Sequence, residues 1–230
     1  MRRRKTPLPI HRLKKAELVW LGTHKCRHGH TYLEHYSCYL AEHPDMKEKV
    51  GFLDIESTNL AANFGTILTY CIKKDGEDEI LEGRITKHDV NRYPADQTDY
   101  GVVRKLIRDL SKFDRIVTHY GRKFDVPFVR TRALMMEIPF PHFGSISNDD
   151  TWLMARNKLR LNSNRLETVE RALFGDTGKT HIDYKYWIAG SRGDKQALDY
   201  ILDHNRRDVI SLERVWYKLK DFIGKRSCSI

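Results

Sequence analysis

Val50-Gly51-Phe52-Leu53-Asp54-Ile55-Glu56 combines an apolar run with two acids at its end. The run Val50–Ile55 reads as a buried strand. A strand repeats every two residues, so Asp54 and Glu56 share one side while Leu53 and Ile55 point into the opposite layer. Two carboxylates at one strand end repel each other unless something neutralises them. A pair of divalent cations does so and creates a hydrolytic centre. The alternative is a solvated strand end entering the turn Ser57-Thr58-Asn59.

The pattern continues on both sides of later turns. Phe64–Lys73 and Glu79–Arg84 read as further strands, and Asp75-Gly76 can close a hairpin between them. Thr98 or Asp99 can start a helix with Val102, Leu106, Ile107 and Leu110 on one face. Arg115–His119 follows as a short strand. A helix is expected from Asp125 to Met136, with Pro127 tolerated in its first turn. Gly144–Asp149 returns to the sheet and Thr151–Lys158 is helical. Asn164 and Glu167 form a candidate capping box before a helix that stops at Gly175. Gly175–Gly193 reads as a loop excursion, and a long helical region runs from Asp194 through Ile223 with a candidate break near Asn205. This order fits an α/β domain, with a mixed sheet flanked by helices on both faces.

Three more polar positions join the acids. Asp125 lies at a strand-to-helix junction, where open α/β sheets place ligands; capping the helix is its other reading. If residues 203–210 form one helix, His204 and Asp208 share a face one turn apart. A carboxylate there can bind metal while the imidazole, titrating near neutrality, handles an attacking water. Arg122, Lys123, Arg130 and Arg132 near Asp125, and Arg206 and Arg207 near Asp208, are candidate phosphate contacts or ordinary surface residues.

Size and charge set the frame. The 230 residues suit one substantial domain, and 41 Lys or Arg against 31 Asp or Glu give a formal charge of +10. That excess favours a polyanionic partner, nucleic acid first. The Arg2-Arg3-Arg4-Lys5 run is a candidate phosphate-gathering arm. No apolar run is long enough to span a bilayer, and four cysteines in a chain this long do not make a secreted disulfide framework. An intracellular location is expected, without a membrane partner.

Residues 1–48 form a basic appendage without sustained periodicity, and 49–230 the main domain. Within the appendage, Cys26, His30, His35 and Cys38 are a candidate zinc set, with His28 the substitute for His30. Zinc favours four sulfur or nitrogen ligands in a tetrahedron. Free thiols with surface histidines are the plainer alternative.

Phe52-Leu53-Asp54-Ile55-Glu56-Ser57-Thr58, Tyr120-Gly121-Arg122-Lys123-Phe124-Asp125 and His204-Asn205-Arg206-Arg207-Asp208-Val209 resemble, in order, the three exonuclease motifs of the DEDD proofreading superfamily. The likeness is to the exonuclease group related to the editing domain of family B DNA polymerases. It covers roughly residues 50–220 and extends to Asn164–Glu170 and Asp149-Asp150-Thr151-Trp152. It implies a ribonuclease-H-like fold and a two-metal 3'–5' exonuclease using Mg2+ or Mn2+. By that resemblance Asp54 bridges both ions, Glu56 and Asp208 hold the nucleophile-side ion, Asp125 reaches the other, and His204 orients or deprotonates water. DNA is preferred over RNA by resemblance only. An RNA exonuclease, a structure-specific endonuclease and an inactive binding module are the alternatives. Two positions depart from the family pattern. That pattern pairs the last Asp with a tyrosine that has three residues between them or a histidine that has four, whereas His204 stands before Asp208 with the three-residue gap of the tyrosine form. Tyr120 replaces the Asn that many relatives carry before the Gly.

Overall fold

In the computed structural model, residues 15–43, 48–178 and 182–222 are described, together with the backbone of 228–229. The Arg2–Lys5 run and the expected helical end at Ile223 lie outside the described residues. Six strands form one mixed sheet: β1 (Val50–Ser57), β2 (Ile67–Lys74), β3 (Ile80–Arg84), β4 (Arg115–Thr118), β5 (Ser147–Asp150) and β6 (Cys228–Ser229). Their order is β3-β2-β1-β4-β5-β6. The hairpins β1–β2 and β2–β3 are antiparallel, while β4 runs parallel to β1 and β5 parallel to β4. Parallel pairs need long crossovers, and the helices between β3, β4 and β5 supply them.

Two compact units divide the chain, Met1–Lys49 and Val50–Ile230. The first holds α1 (Lys15–Thr23) and α2 (Tyr36–Glu42), short helices where no periodicity was expected. They pack around Leu21, Cys26, Tyr32 and Tyr39. Aromatic contacts rather than an aliphatic stripe supply that small core, which is why a hydrophobic-period reading misses it.

The second unit carries α3 (Lys87–Arg92), α4 (Tyr100–Leu110), α5 (Asp125–Met135), α6 (Thr151–Lys158), α7 (Leu166–Phe174), α8 (Tyr184–Ser191) and α9 (Lys195–Leu219). On one sheet face, Leu53, Ile55, Tyr70 and Ile72 meet Val103 and Leu106 of α4 and Val126 and Val129 of α5. On the other, Phe52, Cys71 and Val117 meet Met154 of α6, Val169 of α7, and Val209, Leu212 and Trp216 of α9. The alternation of β1 therefore sends Leu53 and Ile55 to one layer and Phe52 to the other. Asp54 and Glu56, in phase with Phe52, follow the α9 side.

Three local expectations change. The Gly175–Gly193 excursion contains α8, started by Asp183, whose carboxylate accepts from Lys185 N. Arg165 is the N-cap of α7 and makes no side-chain cap, so the Asn164–Glu167 box does not form. Glu167 pairs instead with Arg171 at 2.9 Å. Finally, α9 runs unbroken through Asn205. Asparagine disfavours a helix interior when its amide competes for local backbone; this amide is engaged by other strands.

Candidate metal centre and its surroundings

The end of β1 emerges from the sheet beside α9. The β1–β4 ladder stops at Phe52 and Val117, so the β4-facing edge of β1 has no strand partner beyond that point. Asp125, the first residue of α5, takes over there: its Oδ1 accepts from Ile55 N at 3.2 Å. Helix capping is therefore not its role; Phe124 is the N-cap of α5 and makes no side-chain cap. Burial pushes the Asp125 carboxyl up to about 7. Its own N–H and that of Ile55 oppose the shift, and the Asp150 carboxylate adds to it.

Three groups from β1 and α9 converge. Ligand atoms of Glu56, His204 and Asp208 lie within 4.8 Å of one another, a spacing at which they can hold one metal ion. His204 Nε2 is 3.5 Å from Asp208 Oδ2 and 3.7 Å from Glu56 Oε1. His204 and Asp208 are buried on one face of α9, anchored by Val209, Leu212 and Val215 in the core. Because α9 is continuous, the two side chains stand one turn apart.

Asp54 enters through Asn205, which the sequence offered only as a candidate helix break. Asn205 Nδ2 donates to Asp54 Oδ2 at 2.5 Å, and Asn205 Oδ1 accepts from Thr69 Oγ1 at 3.4 Å. One fully buried amide thus ties α9 to β1 and β2 and fixes the Asp54 carboxylate. The available signal was an asparagine in a helix interior beside His204 and three residues before Asp208. Of the sequence-selected acids, Glu56 and Asp208 cluster with His204, Asp54 joins through Asn205, and Asp125 is held on the neighbouring edge of β1.

The neighbouring acids have structural partners. Asp150 Oδ1 accepts from Trp152 N and Leu153 N at the start of α6. The same carboxylate accepts from Tyr120 N and Arg122 N at 2.9 and 3.1 Å. It thereby clamps a turn in which Tyr120 adopts φ of 68°. Gly121 is required there, since a Cβ would sit 2.3 Å from Thr118 Cβ. Asp149 pairs with Arg115 at 2.6 Å and accepts from Trp216 Nε1 at 3.0 Å.

The expected phosphate contacts are reduced. Arg132 is buried and makes a two-point pair with Asp99 at 2.6 and 3.0 Å, so it is not a surface residue. Asp99 also accepts from Ile67 N, which satisfies its second demand and anchors β2. Arg122 donates to the Asn148 carbonyl, and Arg206 makes two 2.6 Å bonds to Glu82. Arg207 pairs with Asp203, whereas Lys123 is exposed. Tyr120 is 44% exposed, and its ring stands edge-on to Trp152 at 5.0 Å.

In the first unit, Cys26, His28, His35 and Cys38 also form a group able to hold a metal ion. His30 lies outside that group although its ring packs edge-on to His35, so His28 takes the place given to His30. Among the described residues no helix is long and apolar enough to cross a membrane.

No curated protein matches the sequence. The fold is similar to that of the family B DNA polymerase from the hyperthermophilic archaeon Pyrobaculum calidifontis, with a TM-score of 0.56 and 16% identity. That likeness covers 74% of this chain and 24% of the polymerase, so the chain corresponds to about a quarter of the polymerase's length. Residues 51–220, which carry strands β1 to β5 apart from Val50, the strand-end acids and all of α9, match the family described as RNase_H superfamily, and the chain belongs to that superfamily.

Proposed function

We propose that the chain is a metal-dependent 3'–5' exonuclease that hydrolyses the terminal phosphodiester of single-stranded DNA to a nucleoside 5'-monophosphate. The observation that carries this reading is the convergence of Glu56, His204 and Asp208, with Asp54 oriented beside them by Asn205. Carboxylate oxygens suit Mg2+ and Mn2+, so the donor set fits the ions expected of such a centre. Glu56 and Asp208 would hold one ion, Asp54 would bridge to a second, and Asp125 would reach that second ion. When bound, the ions supply charge neutralisation and acidify water.

The protein's own groups then have distinct work. Water attacks the terminal phosphorus, the P–O3' bond breaks, and the mononucleotide leaves with its 5'-phosphate. His204, whose Nε2 lies 3.5 Å from Asp208 Oδ2 and 3.7 Å from Glu56 Oε1, accepts the proton from the water. Asn205 keeps Asp54 in place before substrate arrives, so no side-chain ordering is required at the moment of reaction. Exposed Lys123 supplies phosphate attraction, and the exposed Tyr120 ring offers a stacking face to a terminal base.

The test uses 3'- and 5'-labelled single-stranded DNA and RNA with purified chain, with and without Mg2+ or Mn2+, beside Asp54→Ala. Release of mononucleotides from an open 3' end, abolished by blocking that end, is expected. RNA cut faster than DNA would replace the substrate. Internal products from a blocked strand would replace exonuclease by endonuclease, and equal rates in wild type and Asp54→Ala would reject the centre.

A further inference from the structure

The Cys26–Cys38 cluster belongs to a different unit from the proposed hydrolytic centre and has a different donor chemistry. We propose that Cys26, His28, His35 and Cys38 form a closed, structural Zn2+ site. A tetrahedral zinc with bonds of about 2.3 Å to sulfur and about 2.0–2.1 Å to nitrogen sets each sulfur about 3.6 Å from each nitrogen. Cys38 Sγ lies 3.2 Å from His28 Nδ1 and 3.4 Å from His35 Nδ1. Cys26 Sγ lies 3.9 Å from both of those nitrogens. The four separations bracket the tetrahedral value. Both imidazoles face the sulfurs with the same atom, Nδ1, and all four ligand atoms lie within 4.8 Å of one another.

Hydrogen bonding alone gives little reason for this convergence, because thiols are weak donors and weak acceptors. The two cysteines are free thiols rather than a disulfide. The local chain is shaped to bring the four together. Gly29, at φ of 84°, turns the segment after His28, and Gly29 N donates to Cys26 O. Cys26 N donates back to His30 O across the same turn, and His30, whose ring packs against His35, supplies no ligand atom to the set. His35 precedes α2 and Cys38 sits in its first turn, so one helix start presents the second pair.

The unit also needs such a ligand. Among its described residues the buried apolar core is Leu21, Cys26, Tyr32 and Tyr39, and Cys26 is itself a ligand of the proposed site. Units of this size rarely hold together on so small a core without a staple. Zinc binding displaces the two thiol protons, and two thiolates cancel the charge of Zn2+, leaving a neutral centre. Four protein ligands leave no open position for water or substrate, so the ion's role is structural.

Untagged full-length chain, expressed in zinc-replete medium, tests this by elemental analysis. About one zinc per chain is expected, retained in Asp54→Ala, which separates this site from the hydrolytic reading. Cys26→Ser and Cys38→Ser should each lose it. Losing a ligand exceeds the 10–100-fold cost of losing a supporting contact, so His28→Ala should weaken retention against a competing chelator by roughly 100-fold or more. His30→Ala should stay within about twofold of wild type. Since cysteine variants can misfold, Co2+ replacement in the wild-type chain gives a second reading: an intense tetrahedral visible spectrum with thiolate charge-transfer bands. Wild type without tightly bound zinc, a six-coordinate cobalt spectrum, or loss in His30→Ala with retention in His28→Ala would each overturn the site.

Discussion

The two clusters able to hold metal among the described residues assemble in opposite ways. Cys26, His28, His35 and Cys38 fall within one short segment, and a turn with a helix start brings them together. Glu56 and Asp208 are separated by most of the second unit and meet only because α9 lies against β1. The first set is sulfur and nitrogen, beside a small core that among the described residues buries Leu21, Cys26, Tyr32 and Tyr39. The second is mostly carboxylate, seated over a large two-layer core. In the first case the ion would make the structure; in the second the structure makes the place for the ion. Local assembly around soft donors suits a closed structural site, while hard donors fixed by a pre-existing fold suit an ion that can exchange ligands with a substrate.

The sharpest way to break this comparison is to remove the acids. Asp54→Ala and Asp208→Asn should reduce hydrolysis to background while the second unit keeps its cooperative melting, because the core supporting it does not depend on their charge. Turnover close to wild type from either variant, with contaminating nuclease excluded, would remove the hydrolytic centre. His204 comes next. His204→Ala should lower turnover by roughly 10²–10⁴-fold with little change in DNA affinity, and the pH–rate profile should lose its ascending limb. His204→Tyr restores the spacing partner found in the resembling family; substantial activity there would show that positioning water outweighs imidazole basicity. An unchanged rate in His204→Ala would make the imidazole a packing residue.

How much of this could be read from residues alone follows the same division. The strand ending in Asp54 and Glu56 was legible because a period of two and a continuous apolar run agree. The face shared by His204 and Asp208 needed only the helical repeat. Asn205 was not legible as a positioning residue, since its partners Asp54 and Thr69 are brought to it by tertiary packing. Arg132 was misread for a similar reason: nothing local to it announces that Asp99 lies beneath. The choice of His30 over His28 differs from the grouping in the structure, where His28 and not His30 brings a nitrogen beside the two sulfurs, because spacing along the chain carries no side-chain direction. The helices in the first unit were hidden because their core is aromatic and built around the cysteines.

Zinc removal should separate the two units. Chelation of the full chain should speed protease cleavage within residues 15–43 by at least about tenfold, since the proposed ion would supply most of that unit's folding energy. Cleavage within Val50–Ile230 should change little. If both units become susceptible together, they share one cooperative transition and the contrast between ion-made and fold-made structure is lost.

The smallest expected effect is a pH dependence carried by Asp125. An unfolded aspartate titrates near 3.9, whereas burial raises this one to about 7 in the folded chain. Below about 4 both states are protonated, and the group contributes nothing to the pH dependence. Between about 4 and about 7 the folded chain keeps a proton that the unfolded chain has released. Stability therefore falls as pH rises through that window, by up to about 4 kcal/mol if the whole shift is expressed. Asp125→Asn retains an oxygen for the Ile55 N–H but does not titrate. In protein dialysed free of Mg2+ and Mn2+, wild type should lose more stability than Asp125→Asn between pH 5 and pH 8. Adding Mn2+ at pH 8 should narrow that gap, because a divalent cation favours the ionised carboxylate. The zinc cluster should behave in the opposite sense, holding its ion more tightly as rising pH releases the Cys26 and Cys38 protons. Parallel stability curves for wild type and Asp125→Asn would show that folding does not raise the Asp125 carboxyl.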